Sequence, residues 1–235
     1  QEESLISIIP KDRKKSYEMR DVVNLIFDKD SFFEMTKFFG RGIITGFARI
    51  NGYSVAIFAN DSNFYAGSMS AEGAQKTSRF IRLCETFNIP IVSLVDEPGF
   101  LIGPDAEKAG TILHGTEAVL ATTESTVPWT TVMIRKSFGV AAAAHYGPDG
   151  YVLAWPSAEI AVMGAKGAVE ILHRDANDEE KLSLESSYEE RLLNPFVAAE
   201  RGSVDRIIEP AETRSEIASA LELLSEKRER LPKRK

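Results

Sequence analysis

Apolar residues recur along this chain at strand-like and helix-like spacings in turn. Two strand-like runs, 42–50 and 53–59, are joined by Asn51 and Gly52. This dipeptide predicts a tight hairpin between them, because both residues tolerate a positive φ angle. Three later apolar runs are short enough for strands that are buried on both faces of a sheet. They cover residues 91–95, 130–134 and 160–163.

Segments in which apolar residues recur at helical spacing lie between these strand-like runs or follow them. The predicted helices cover residues 21–27, 32–37, 71–87, 106–123, 140–146, 165–172, 178–192 and 212–227. Strands and helices that alternate in this way predict an α/β layered domain with crossover connections. Residues 1–16 are polar and contain Pro10, so we expect a linker or an N-terminal remnant there. The lysines and arginines of 229–235 are expected to form a solvated basic tail.

The composition narrows the functional class. The 235 residues are enough for one large domain, and a formal net charge of -7 argues against a nucleic-acid binder, which needs a basic face. No apolar run approaches the ~20 residues of a membrane-spanning helix. The single cysteine, Cys84, excludes a disulfide framework and predicts a reducing compartment, the cytoplasm or, in a eukaryote, the mitochondrial matrix. The chain begins with Gln1, so we expect a fragment, a processed product or a trimmed chain.

The first candidate site is the segment 95–103, which directly follows a predicted buried strand. Pro98 and Gly99 predict a tight turn that exposes Phe100 and Leu101 at its tip. Exposed apolar side chains on a loop are costly unless they meet a ligand or a partner chain. The alternative is that these side chains fold back into the core.

The second candidate site is the segment 135–144, where a predicted strand ends at a glycine and a run of alanines opens a helix. Small side chains leave the backbone N–H groups of a helix start accessible, and such groups can stabilise a developing oxyanion. The alternative is that the alanines of 141–144 permit close helix packing.

Side chains that usually carry catalysis are not arranged for it in this sequence. The spacing of His114, His145 and His173 does not suggest metal ligation, and no metal site is expected. Asp96 and Glu97 are adjacent, so their carboxylates should point apart rather than act as an acid and base pair. No phosphate-binding or dinucleotide-binding fingerprint is present. The sequence therefore favours catalysis by backbone amides.

Five motifs occur in an order that is similar to a known family. They are residues 46–52, 87–91, 96–103, 154–170 and 194–196. This set resembles the C-terminal domain of the carboxyltransferase β-subunits of propionyl-CoA, acetyl-CoA and methylcrotonyl-CoA carboxylases, over roughly residues 17–228. The resemblance implies a crotonase-like (ClpP/crotonase) fold in which helices flank β-sheets.

The resemblance also implies an activity and its partners. Carboxybiotin on a carrier protein or domain would enter this domain, and its carboxyl group would pass to the α-carbon of an acyl-CoA. The acyl-CoA would bind mainly to the carboxyltransferase N-terminal half, which is absent from this chain. A biotin carboxyl carrier and a biotin carboxylase would complete the enzyme, and a homo- or hetero-oligomer, in the family a hexamer, is expected.

The resemblance assigns roles to particular positions. The backbone amides of Val140 and Ala141, after Gly139, would hold the ureido oxygen of biotin. Residues of the 98–103 loop would line the biotin pocket: Pro98, Gly99, Phe100, Leu101 and Gly103. Many relatives have a second glycine where this chain has Val140, and propionyl-preferring relatives have an aspartate where Ala143 would line the acyl pocket.

Two alternatives stay open at this point. A biotin-dependent decarboxylase of the methylmalonyl-CoA or glutaconyl-CoA type shares the fold and transfers the carboxyl group in reverse. A non-catalytic assembly module of the same fold is the other, and Val140 in place of a second glycine is the feature that favours it.

Overall fold

A computed structural model describes residues 3–10, 12 and 15–225. Within these residues, eight strands form one sheet in the order β1-β2-β3-β4-β5-β6-β8, and β7 pairs with the C-terminal end of β5. The strands are β1 Phe33–Met35, β2 Ile43–Ile50, β3 Tyr53–Asn60, β4 Ile91–Glu97, β5 Trp129–Phe138, β6 Tyr151–Ala154, β7 Glu159–Ala161 and β8 Arg206–Ile207. The pairs from β1 to β3 are antiparallel, and the pairs from β3 onward are parallel. The carboxyl ends of β4 and β5 therefore lie at the same edge.

Helices cover both faces of this sheet. They are α1 Ser4–Ile8, α2 Met19–Ile26, α3 Ala71–Phe87, α4 Pro104–Lys108, α5 Thr111–Thr123, α6 Gly139–Ala143, α7 Ala165–Leu172, α8 Asp178–Leu192, α9 Pro195–Glu200 and α10 Thr213–Leu223. On β3, Val55 and Ile57 face a core that includes α1, α2 and α10, whereas Ala56 and Phe58 face a core that includes α3 and α5. This alternation follows from the two-residue period of a strand, and it explains the apolar run of β3.

The hydrophobic pattern predicted much of this architecture. The hairpin is confirmed, because Asn51 lies in the left-handed region at φ 50 and Gly52 at φ 81 between β2 and β3. The 17-residue helix α3 is confirmed over Ala71–Phe87. Cys84 is buried in α3, and burial raises the pKa of its thiol to about 12, as befits a packing residue.

Two predicted helices are wrong. Residues 32–37 contain the edge strand β1, because Phe33 and Met35 pair with β2 and Thr36 then turns the chain at φ 51. Residues 106–123 do not form one helix, because Gly110 adopts φ 74 and separates α4 from α5. Three short elements with little apolar periodicity of their own, β6, α9 and β8, were not predicted.

The ends of the chain differ in what the structure describes. Within the segment expected to be a linker, residues 4–8 form α1, and Leu5 is fully buried in the core. The predicted last helix is present over Thr213–Leu223. The basic tail predicted at 229–235 lies outside the described residues. The predicted domain boundaries at residues 17 and 228 stay predictions. Among the described residues, no helix is both long and apolar enough to cross a bilayer.

Candidate functional site

The two candidate segments of the sequence meet at the carboxyl edge of β4 and β5. These strands pair in register up to Val95 and Met133, and the next pair is Glu97 with Ser137. The pairing thus advances two residues along β4 and four along β5, which is a β-bulge on β5. The 98–103 loop leaves β4 directly after this bulge, and α6 follows the end of β5.

A buried ion pair fills the bulge. Both carboxylate oxygens of Asp96 accept hydrogen bonds from Arg135, at 2.8 Å from Nη2 and 3.1–3.2 Å from Nε. Asp96 Oδ1 also accepts the backbone N–H of Lys136 at 3.1 Å, which the bulge leaves without its ladder partner. The guanidinium lies 4.8 Å from the ring centroid of Tyr17 and donates to the carbonyl of Lys15 at 2.8 Å. Asp96 therefore joins the ends of β4 and β5 at the site.

Glu97 holds the start of the 98–103 loop. Its Oε1 atom accepts the backbone N–H of Gly99 at 3.0 Å and that of Met69 at 3.2 Å. Its Oε2 atom accepts the side-chain amide of Asn60 at 2.9 Å. The carboxylates of Asp96 and Glu97 thus have different partners on different sides of β4, and the expectation that they point apart is confirmed.

The 98–103 loop is only partly exposed, which corrects the prediction that Phe100 and Leu101 lie free at its tip. The Phe100 ring packs against Gly115 of α5 so closely that a Cβ atom there would lie 2.4 Å from it. The N–H of Leu101 donates to the carbonyl of Met69 at 2.9 Å. The exposed apolar side chain of this loop is Ile102, at 88% exposure. The alternative of apolar residues folding back toward the core holds for Phe100, and the role of the loop in binding biotin stays a prediction.

The segment after β5 forms the short helix α6. Gly139 opens it at φ 65, and both Gly139 and Val140 are exposed, whereas the side chain of Ala141 is buried. Within the described residues, no side chain caps its first turn, and first-turn N–H groups have no partner inside a helix. Val140 is absent from the residues with positive φ, so its backbone angle suits a valine as well as a glycine. Ala143 ends α6 and is half-buried.

The residue His145 lies behind α6 in the core. Its ring stacks on Phe58 at 4.1 Å, and its Nδ1 atom lies 2.7 Å from Ser93 Oγ. Its backbone carbonyl accepts from the Trp129 side chain at 2.9 Å and from the Thr131 hydroxyl at 2.7 Å. Its Nε2 atom lies 3.8 Å from Oε2 of Glu97. His145 is therefore a buried residue that cannot contact a ligand directly.

The ionisation of this buried pair is shifted by its surroundings. Burial raises the pKa of Glu97 to about 8, although the N–H groups of Gly99 and Met69 and the amide of Asn60 oppose the shift. Burial lowers the pKa of His145 to about 3. One sign of such a site is visible in the sequence: two adjacent acids, Asp96 and Glu97, continue an apolar strand, and buried acids require partners.

Comparison with known proteins identifies the family. The sequence model of one protein family, the carboxyl transferase domain, matches residues 1–235. The propionyl-CoA carboxylase carboxyltransferase subunit of Haloferax mediterranei is 44% identical over 99% of this chain and 47% of its own length. The methylmalonyl-CoA decarboxylase subunit alpha of Veillonella parvula is 43% identical over 100% of this chain and 46% of its own.

The solved structures agree with this. The crystal structure of transcarboxylase 12S, a hexamer assembly with methylmalonyl-coenzyme A bound, superposes at a TM-score of 0.94 with 42% identity, over 99% of this chain and 46% of that one. The prediction of a crotonase-like fold is confirmed. The chain spans about half the length of the relatives it matches. This chain belongs to the family of carboxyl transferase domains.

Proposed function

We propose that this chain is the carboxybiotin-receiving half of a biotin-dependent acyl-CoA carboxyltransferase. The observation that carries the proposal is the exposed start of α6, where Gly139 and Val140 leave backbone N–H groups open at the sheet edge from which the 98–103 loop also leaves. Membership of the carboxyl transferase family supports the same assignment. The relatives of this chain include a propionyl-CoA carboxylase subunit and a methylmalonyl-CoA carboxyltransferase subunit.

The residues present fit the ureido group of biotin, which is flat and has one carbonyl oxygen that needs N–H donors. Gly139 has no side chain to cover the helix start, and a Cβ atom there would approach the carbonyl of Val162 to 3.1 Å. No atom of the described residues lies within 4 Å of the position that a Cβ would occupy at Gly99 or Gly103, so the loop leaves space. A flat ligand can therefore approach the backbone at both segments.

The residues of this chain would act by binding and orienting. The N–H groups of Val140 and Ala141 would donate to the ureido oxygen, and one such donor is typically worth about 3–4 kcal/mol to a developing negative charge. The 98–103 loop, with Pro98, Gly99, Phe100, Leu101 and Gly103, would form the wall of the biotin pocket. Ala143 would lie toward the acyl group. Carboxybiotin, when bound, supplies an activated carboxyl group for the α-carbon of the acyl-CoA.

The proposed partners rest on the greater length of the relatives. The relatives are about twice as long, so we propose that a carboxyltransferase N-terminal half supplies the acyl-CoA contacts. A biotin carrier and a biotin carboxylase would supply carboxybiotin, and a hexamer like that of transcarboxylase 12S is the proposed assembly. Transfer in the reverse direction is the second candidate, because the Veillonella parvula decarboxylase subunit is 43% identical.

The proposal is tested by reconstitution. Methylmalonyl-CoA and free biocytin are mixed with this chain, with a matching N-terminal half, and with both, and carboxylation of biocytin is measured. We expect transfer only when both halves are present, because the biotin and acyl-CoA contacts lie in different halves. A properly assembled pair of halves that transfers no carboxyl group to or from any acyl-CoA would contradict the proposal and favour a non-catalytic assembly module.

A further inference from the structure

Glu97 and His145 form a buried pair whose facing atoms lie just beyond hydrogen-bonding distance. Both side chains are fully buried, and Oε2 of Glu97 lies 3.8 Å from Nε2 of His145. Within the described residues, Nε2 has no hydrogen-bond partner. A buried ring nitrogen without a partner destabilises the folded state, so its position opposite Glu97 requires an explanation.

This pair connects the two segments of the proposed site. Glu97 holds the 98–103 loop through the N–H of Gly99, as well as Met69 and Asn60. His145 follows the last turn of α6, and its N–H donates to the carbonyl of Ala142 at 2.9 Å. The pair therefore lies between the start of the 98–103 loop and the end of α6.

The pair can exist in two protonation states with different charges. When Glu97 carries a proton, its hydroxyl points to a bare Nε2, and the Nδ1–H of His145 donates to Ser93 Oγ. When Glu97 releases this proton to solvent, the proton of His145 moves to Nε2 and Ser93 donates to Nδ1. The pair is neutral in the first state and carries one buried negative charge in the second.

We infer that Glu97 and His145 are positioning residues for carboxyl transfer, and that the enzyme is active when this pair is neutral. The inference rests on the proposed function. A negative charge under α6 opposes the negative charge that develops at the ligand held by the amides of Val140 and Ala141. Among the described residues, the charged groups next to the pair on β4 and β5 are Asp96 and Arg135, which neutralise each other at 2.8 Å.

The pH dependence follows from the direction of each shift. Burial raises the pKa of Glu97 to about 8, so the proton is lost as the pH rises through that value. We expect kcat with biocytin to fall on the alkaline side with a midpoint near pH ~8, and the KM for the acyl-CoA to stay unchanged. If Glu97 and His145 acted only in folding, kcat and the KM for the acyl-CoA would not respond differently to pH.

The variant Glu97→Gln keeps the shape of the neutral acid and cannot ionise. In the reconstituted enzyme, with kcat expressed relative to the variant's own value at pH ~7, we expect the alkaline fall to disappear. An alkaline fall that is the same in both enzymes would overturn the inference. The matched control is Asp28→Asn, a carboxylate that accepts two backbone N–H groups at 2.8 and 3.1 Å at the other end of β2. It should leave the alkaline fall unchanged.

A second measurement needs no variant and no activity. The 15N shifts of the His145 ring in the full chain report which nitrogen carries the proton, and His145→Gln assigns the signal among the three histidines. We expect the proton to move from Nδ1 to Nε2 with a midpoint near pH ~8. A ring that keeps one tautomer from about pH 6 to 9.5 would overturn the inference even if the reconstituted enzyme is inactive. Absence of all transfer together with the expected titration would reject only the proposed function.

Discussion

Replacing Gly139 with alanine is expected to lower carboxyl transfer to biocytin about 100-fold while the protein still folds. Gly139 has φ 65, and an added Cβ atom would also lie 3.1 Å from the carbonyl of Val162. The chain would relieve this strain by rotating the peptide between residues 139 and 140, which turns the Val140 N–H away from the ligand. The loss should appear in kcat, because the interaction is strongest in the transition state.

The control for this prediction is Gly202→Ala. Gly202 has a similar backbone angle, φ 75, but in the part of the chain that the structure describes no atom lies within 4 Å of an added Cβ. Both substitutions should lower the free energy of unfolding by about 1 kcal/mol, since both force alanine into the left-handed region. Only Gly139→Ala should lose transfer. If Gly139→Ala retains more than about half of the activity, the start of α6 does not hold the reacting ligand.

Replacing Asp96 with alanine is expected to lower the free energy of unfolding by about 3–5 kcal/mol. The substitution leaves the guanidinium of Arg135 buried at 4% side-chain exposure without its carboxylate. It also removes the acceptor of the Lys136 N–H in the β-bulge. Urea unfolding followed by circular dichroism measures the change, provided that the m value is unaltered.

Two further variants test whether the stability lost in Asp96→Ala is lost because the charge of Arg135 is left without a partner. The double variant Asp96→Leu with Arg135→Met should recover part of the stability, because removing both charges avoids the unpaired one. The control is the pair of Arg206, which is exposed, and Glu216, which is partly buried, and Glu216→Ala should cost no more than about 1 kcal/mol. A loss below about 1 kcal/mol for Asp96→Ala would mean that the pair is not needed to hold the bulge.

The sequence predicted those features that depend on neighbouring residues. Asn51 and Gly52 set the hairpin by their own backbone preferences, and the apolar period of α3 marked its full length. The sequence also marks the 98–103 loop and the start of α6 as segments that follow strands. Each of these signals lies within a few positions of the feature that it predicts.

The parts that the sequence did not predict depend on distant contacts. The strand β1 exists because Phe33–Met35 finds a partner in β2, and three residues are too few to show a period. Phe100 packs inward because Gly115 leaves room for its ring. The Asp96–Arg135 pair joins residues 39 positions apart, so no local pattern revealed it.

The site itself is best tested by a structure of the reconstituted enzyme with biotin bound. We predict that the ureido oxygen lies about 2.7–3.1 Å from the backbone nitrogens of Val140 and Ala141, beside the 98–103 loop. Biotin bound at another edge of the sheet, or with its ureido oxygen more than about 4 Å from both nitrogens, would contradict the assignment of α6 as the biotin-binding helix.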